Sequence, residues 1–246
     1  MRLFQTLKIS VFVLFCTLLV LGTAILVYPL LQHAFEVQES EGNTGEPQLP
    51  EKVKEPEMVR VQLLCVLNEE NTEFTTFYLE VLNNYAETVF YFEVPAYTKV
   101  TISQELYRKL QVYSPGLPQY LKLSKLAGSF SDDYRMQGTL QVLEEMLGIS
   151  VMHWCSLEKA ALQNWMEAVL EKEKDSSEFF KQYQDFVWEA ASDQTTLELW
   201  MYYDAYRSFF ATWEGTIPGT EGIGEFEVNG QLAKDKLESC IRRMGN

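Results

Sequence analysis

An uncharged apolar run near the N-terminus is the feature that most constrains this chain. From Ile9 to Leu31 the sequence reads ISVFVLFCTLLVLGTAILVYPLL, 23 residues without a charge. As a helix this run would be about 34 Å long, enough to cross the hydrocarbon core of a bilayer. A cleavable signal peptide is the alternative, because Gly22-Thr23-Ala24 offers small residues, but the apolar run continues well past them. We therefore predict one transmembrane helix over residues 9–31.

The charges that flank this run predict its orientation. Arg2 and Lys8 precede it, whereas the first charges after it are acidic, beginning with Glu36. Because basic flanks stay on the cytoplasmic side, residues 1–8 are expected to be a cytoplasmic stub. The sequence thus predicts a single-pass protein of the cell membrane with an extracellular C-terminal domain.

The segment that follows has the composition of a linker. Residues 36–57 contain seven acids and three prolines and almost no bulky apolar side chains. Such a segment cannot offset its ordering entropy by burial, so a disordered acidic linker is predicted over residues 32–57. Beyond the apolar run the chain carries 35 acidic against 18 basic residues. This charge repels phosphates, and nucleic-acid binding is excluded.

The remainder, residues 58–246, has the size and apolar content of one folded domain. Short β-branched and aromatic runs predict strands over 58–67, 74–83, 87–94 and 149–157, with a further short strand in GEFEVN. Helical periodicity predicts helices near 104–113, 119–127, 134–147, 158–172, 176–192, 195–213 and 231–243. The Asn83–Ala86 gap suits a hairpin between the second and third strands. The predicted fold class is α/β, a mixed β-sheet covered by helices.

The cysteines define neither a disulfide framework nor a zinc site. Cys16 lies in the apolar run, and Cys65, Cys155 and Cys240 form no CxxC pair. Cys65 and Cys155 both lie in apolar runs, which favours buried thiols, with a bridge between them as the alternative.

Three segments of the domain, taken in order, resemble a known family. TTFYLEVLN begins at Thr75, VFYFEVPAYTKVTI contains Pro95 twenty residues later, and GTLQVLEEMLGISVMHW ends at Trp154. This order is similar to the LytR-CpsA-Psr domain of Gram-positive envelopes, which reads SDTxxLxxxN, then SIPRDTxV, then TVExLLGIxIDxY. The resemblance covers roughly residues 58–157 and, more weakly, 216–246.

The resemblance implies a transferase that moves an anionic glycopolymer from undecaprenyl-pyrophosphate onto peptidoglycan. In that family, magnesium and a set of arginines hold the pyrophosphate. The physical reason is that the departing pyrophosphate develops negative charge, which guanidinium groups and a carboxylate-held metal stabilise.

This sequence departs from the family pattern at the positions that carry the chemistry. The expected aspartate, arginine and second aspartate are Thr75, Ala96 and Tyr97, and Arg207 is the one arginine between residues 158 and 215. Alanine and threonine cannot replace a bidentate phosphate fork. No catalytic residue and no metal ligand is therefore assigned, and magnesium is expected only if an active site is rebuilt elsewhere.

The remaining candidates are cationic side chains. Lys99 and Lys122 are candidate anion-binding residues, as is Arg135 beside Asp132-Asp133, although exposed lysines and loop acids are ordinarily solvated surface. The aromatic residues between Phe179 and Trp213 are ordinary core or, alternatively, an apolar slot for a polyprenyl chain.

Three functions remain open at this point. The first is a membrane-anchored extracytoplasmic homologue that lacks catalysis and binds a polyprenyl-linked wall precursor or an envelope partner protein. The second is an active glycopolymer transferase with a rearranged site and magnesium. The third is an unrelated α/β interaction module of a membrane complex.

Overall fold

The computed structural model describes residues 57–171 and 173–244. The predicted stub, the transmembrane helix and the linker up to residue 56 lie outside these residues. Within the described ranges, no helix combines the length and the apolarity that a membrane crossing requires.

A mixed sheet forms the centre of the domain. Its members are β1 (Val59–Leu67), β2 (Phe74–Asn83), β3 (Thr88–Glu93), β6 (His153–Ser156), β7 (Ala191–Ser192) and β8 (Phe210–Thr216), in the order β7-β6-β1-β2-β3-β8. β2 runs antiparallel to both β1 and β3, whereas β6 is parallel to β1 and β8 is parallel to β3. The predicted β2–β3 hairpin and the mixed sheet are confirmed.

Two small hairpins and a set of helices complete the described fold. The hairpins are β4 (Lys99–Thr101) with β5 (Tyr120–Lys122), and β9 (Gly219–Glu221) with β10 (Phe226–Val228). The helices are α1 (Gln104–Gln111), α2 (Leu126–Ser129), α3 (Arg135–Leu147), α4 (Lys159–Leu170), α5 (Ser177–Glu189), α6 (Thr196–Trp200), α7 (Tyr203–Ser208) and α8 (Gly230–Ile241).

Apolar side chains pack on both faces of the sheet. On one face, Leu63, Leu79 and Phe92 pack with side chains of α3 and α8. On the other face, Leu64 and Leu82 pack with an aromatic layer from α4, α5 and α7. Because successive strand residues point to opposite faces, a strand buried on both faces is apolar almost throughout, as β1 to β3 are. The prediction of a sheet covered by helices is confirmed.

Two predicted helices were wrong in part. The segment near 119–127 forms β5, a single 3₁₀ turn at Leu123–Lys125 and the start of α2. The predicted helix 195–213 divides into α6, α7 and the strand β8. The aromatic residues of this segment fit both the helical and the strand period. Because β8 lacks a fully buried face, no alternation of apolar and polar residues distinguishes strand from helix there.

The alternative disulfide does not form. Cys65 and Cys155 are free, buried thiols on neighbouring strands, but Cys65 packs on one face of the sheet and Cys155 on the other. Burial raises the pKa of both thiols to about 12, so neither is a reactive thiolate.

Candidate functional site

The candidate site is a cleft of about 780 Å³ where the parallel strands β1 and β6 end. It is lined by the end of β1, the loop that follows it, Thr75, the end of β6 and the start of α4. Clefts at the carboxyl ends of parallel strands are common ligand sites in α/β proteins.

A β-bulge brings Thr75 into this cleft. Val66 lies opposite Thr76 and Leu67 opposite Phe74, so that Thr75 is an extra residue in β2. The Thr75 hydroxyl donates to the Val66 carbonyl at 3.4 Å. Bulges of this kind re-aim a side chain and are frequent beside binding sites.

The loop between β1 and β2 is held by one asparagine. The Asn68 side-chain oxygen accepts hydrogen bonds from the backbone N–H groups of Thr72 (2.8 Å) and Glu73 (3.1 Å). Asn71 lies in the left-handed region with φ of 54°, which asparagine tolerates better than most residues. Hydrogen bonds within the loop therefore hold this wall of the cleft.

The charge of the cleft is acidic. Its lining includes Glu69, Glu158 and Glu189 against a single cation, Lys159. A pyrophosphate brought here would meet three carboxylates and no guanidinium. Among the described residues, no three His, Cys, Asp or Glu side chains converge on one point.

Of the three family-matched positions, Thr75 lines the cleft and the other two do not. Ala96 and Tyr97 lie in the loop that follows β3. A hydrogen bond from Val94 N–H to the Phe77 carbonyl (3.0 Å) places the start of that loop at the same end of the sheet as the cleft. Ala96, however, packs against the core, and the Tyr97 hydroxyl donates to the Glu221 carboxylate at 3.2 Å. The fold thus does not gather these side chains around one ligand position.

None of the three predicted cationic residues lines the cleft. Lys99 and Lys122 face each other across the β4–β5 hairpin, and Lys122 Nζ donates to the Gly224 carbonyl at 3.0 Å. Arg135 binds the Ala127 carbonyl through Nε (3.1 Å) and also pairs with Asp132. Arg135 therefore fixes the start of α3 instead of facing a cleft.

A buried polar network lies on the face of the sheet that α4, α5 and α7 cover, and the sequence did not reveal it. Arg60 of β1 and Glu80 of β2 are both fully buried, with 3.5 Å between Nη2 and Oε1. Arg60 Nη2 also donates to the Tyr206 hydroxyl at 2.8 Å, and the Tyr91 hydroxyl donates to Glu80 at 2.9 Å. The guanidinium lies 3.9 Å from the centre of the Tyr202 ring. A polar residue that alternates with apolar residues in a strand is ordinarily interpreted as solvent-facing. No sequence signal therefore distinguished Arg60 and Glu80 from exposed residues.

Electrostatics keep the Arg60 guanidinium protonated. Burial opposes the charged form of Arg60, but Tyr206 and Glu80 raise the pKa of the guanidinium above its ordinary value. Burial and the Glu80 charge raise the pKa of Tyr91 well above its usual range, so that its hydroxyl remains a donor. The network joins the middle of the sheet to α7.

A second polar cluster lies where the described chain begins. His153 is half-buried, with Nδ1 3.2 Å from Asp193 and Nε2 3.3 Å from Glu57. The hydrogen bond to Asp193, and secondarily the one to Glu57, raises the pKa of His153 despite its burial. Glu57 also accepts a hydrogen bond from the Tyr202 hydroxyl. These contacts attach the first described residue to β6 and to the segment between α6 and α7.

The chain was compared with known proteins. It matches no protein-family model and no curated protein. Similar solved structures include the Listeria innocua protein Lin1025, with 11% identity over 76% of this chain and 99% of that one, at a TM-score of 0.49. "TagT bound to LI-WTA" has 14% identity over 77% and 94%, and Bacillus subtilis TagV 10% over 76% and 98%, both also at 0.49.

These solved structures are LytR-CpsA-Psr proteins, the family that the sequence resembles. At these identities and TM-scores, no activity, ligand or residue role passes from those proteins to this chain.

The buried ion pair predicts a specific stability pattern. Glu80→Leu leaves an unpaired buried guanidinium and Arg60→Met an unpaired buried carboxylate, so each is expected to lower the free energy of unfolding by roughly 3–5 kcal/mol. The double variant is expected to cost far less than the sum of the two. Urea unfolding of the three variants measures this, and additive losses would show that the two charges do not stabilise each other.

The His153 cluster predicts a pH-dependent contribution to stability. Because the folded pKa of His153 is raised, its contribution is complete below the unfolded pKa of about 6.5 and is lost as the pH rises through the folded value. We expect the wild type to exceed His153→Gln in unfolding free energy more at pH 6 than at pH 8.5. An equal difference at both pH values, measured by chemical denaturation, would contradict this assignment.

Proposed function

We propose that this chain is a membrane-anchored extracytoplasmic protein with a LytR-CpsA-Psr-like domain, which lacks transferase chemistry and acts by binding an envelope partner protein. Residues 9–31 would anchor it, and the acidic linker up to residue 56 would separate the domain from the membrane. The proposal has three parts, which are the anchor, the loss of catalysis and the kind of ligand.

The observation that carries the second part is the charge of the cleft at Thr75. Transfer of a glycopolymer from a pyrophosphate carrier requires preorganised cations around the leaving group. This cleft offers Lys159 against three glutamates, and the positions of the family's arginine and second aspartate, Ala96 and Tyr97, do not line it. An anionic substrate would be repelled from this end of the sheet.

The packing of the aromatic layer favours a protein partner over a polyprenyl chain. Trp165 stacks on Phe186 with 4.6 Å between ring centres, and Tyr206 packs edge-on against Trp165 at 5.1 Å. Trp165, Phe186 and Tyr206 are each at most 2% exposed. Rings in van der Waals contact fill the layer in which an apolar slot was considered, so a polyprenyl chain would have to displace them.

The anchor is tested by topology. A phosphatase reporter that is active only outside the cytoplasm, fused after Asn246, is expected to be active in cells, because Arg2 and Lys8 hold the N-terminus inside. A matched fusion that lacks residues 9–31 is expected to be inactive. Equal activity of the two fusions would contradict the predicted anchor.

The loss of catalysis is tested with the full-length chain in lipid vesicles. With magnesium, a polyprenyl-pyrophosphate-linked glycopolymer and peptidoglycan, transfer is expected to equal that of a no-protein control, since removal of even one such donor commonly costs about 100-fold. Turnover that Lys159→Ala or Lys99→Ala abolishes would establish an active transferase with a rearranged site. Retention of labelled polyprenyl phosphate by the vesicle-bound protein over empty vesicles would instead favour a lipid-linked ligand.

A further inference from the structure

The β8 strand forms an open edge of the sheet. Within the described part of the chain it pairs with β3 alone, and none of its seven residues is fully buried. Phe210 is 78% exposed and Trp213 is 44% exposed. Neither lysine nor proline, the residues that commonly protect such edges, occurs between Phe210 and Thr216.

The backbone of β8 has hydrogen-bonding groups directed away from the sheet. Phe210 N–H donates to the Glu87 carbonyl at 3.1 Å, so the backbone of Phe210 faces β3. Because these directions alternate along a strand, the N–H and C=O groups of Ala211 and Trp213 face outward. They are positioned to pair with an added strand.

The charges beside this edge are acidic. Glu87 precedes β3 next to Phe210, and Glu93 ends β3 opposite Thr216. Neither carboxylate forms an ion pair with any described residue. Glu214, within β8, is already paired with Lys236. The free charges at both ends of the edge are therefore negative.

Lys174 and Arg207 are already engaged, and Arg243 lies 5.7 Å from the centre of the Phe90 ring, on the face of β3 opposite to Glu93. Lys174 Nζ donates to the Phe209 carbonyl. Arg207 lies 3.3 Å from Asp204 and 3.9 Å from Asp175. Pairing with a second copy of this chain would place the β3 strands of the two copies three strand spacings apart, roughly 14 Å, in a protein of net charge −15. Charge complementarity thus selects a basic partner.

We propose that the β8 edge binds an extended segment of a partner protein that adds a strand to the sheet. The segment carries lysine or arginine at positions about six residues apart, roughly 20 Å when extended, with uncharged β-branched residues between them. The Trp213 ring, packed edge-on against Tyr78 at 5.5 Å, offers a surface to one of its side chains. This inference rests on the proposed function, in that it names the chemistry of the protein partner.

The probe is a fluorescein-labelled peptide, Lys-Thr-Val-Thr-Val-Thr-Lys with blocked ends, titrated with the full-length chain in detergent. We expect saturable binding by fluorescence anisotropy that weakens as salt is raised. The same peptide with glutamate at both ends is the matched control and is expected to bind at least about tenfold more weakly. Equal binding of the two peptides would refute the charge assignment.

Two chain variants locate the site. Ala211→Pro removes an outward N–H and keeps the β3 ladder, and is expected to weaken binding by about tenfold or more, whereas Ala211→Val keeps the N–H and should bind within about twofold of wild type. The double variant Glu87→Gln/Glu93→Gln leaves the backbone intact and should reduce both affinity and salt dependence. If circular dichroism shows that Ala211→Pro does not fold, peptide binding by the Glu87/Glu93 double variant tests whether the β8 edge is the binding site.

Three results would overturn the proposal. These are no binding of the basic peptide, unchanged binding by both Ala211→Pro and the Glu87/Glu93 variant, or a dimer in sedimentation that Ala211→Pro dissolves, which would assign the edge to a second copy. Each is independent of the transfer assay. If the chain neither transfers glycopolymer nor binds the peptide, this inference fails and the proposed function stands. If the chain does transfer glycopolymer, the proposed function fails, and the peptide result is unaffected.

Discussion

The ion pair between Arg60 and Glu80 is the constraint around which this domain is organised. Two opposite charges lie fully buried in the middle of the sheet, and removal of either would leave the other unpaired, so the pair favours the observed β1–β2 register. Tyr206 accepts a hydrogen bond from Arg60 and Tyr91 donates one to Glu80, which extends the constraint to α7 and β3. Since α7 leads directly into β8, the strand at the edge is positioned by the same network.

The candidate cleft depends on a different set of interactions. Its walls come from the bulge at Thr75 and from the Asn68 turn, which are backbone features. Its charge comes from side chains that the backbone does not select, namely three glutamates and Lys159. Shape and chemistry are therefore separable here, and the resemblance in strand order and spacing says little about whether the chemistry is present.

Much of the fold could be predicted from sequence, because β1 to β3 are long apolar strands and α3, α4, α5 and α8 are periodic. Thr75 was singled out by its place in a motif, and it does line the cleft. Arg60 and β8 could not be predicted. A charged residue inside an apolar strand looks the same in sequence whether it faces water or a buried carboxylate. An edge strand exposed on both faces has no alternation to reveal it.

The three regions together favour binding over catalysis on physical grounds. Catalysis of pyrophosphate departure needs cations in a dry, preorganised cleft, but the buried Arg60 is paired with Glu80 and the cleft is acidic. Strand addition needs no preorganised charge, because backbone groups supply the affinity and flanking charges mainly supply selectivity. Glu87 and Glu93, which would repel an anionic polymer, are suited to select a basic strand. Acidic side chains thus disfavour transfer at the cleft and, in the proposed function, select a basic partner at the β8 edge.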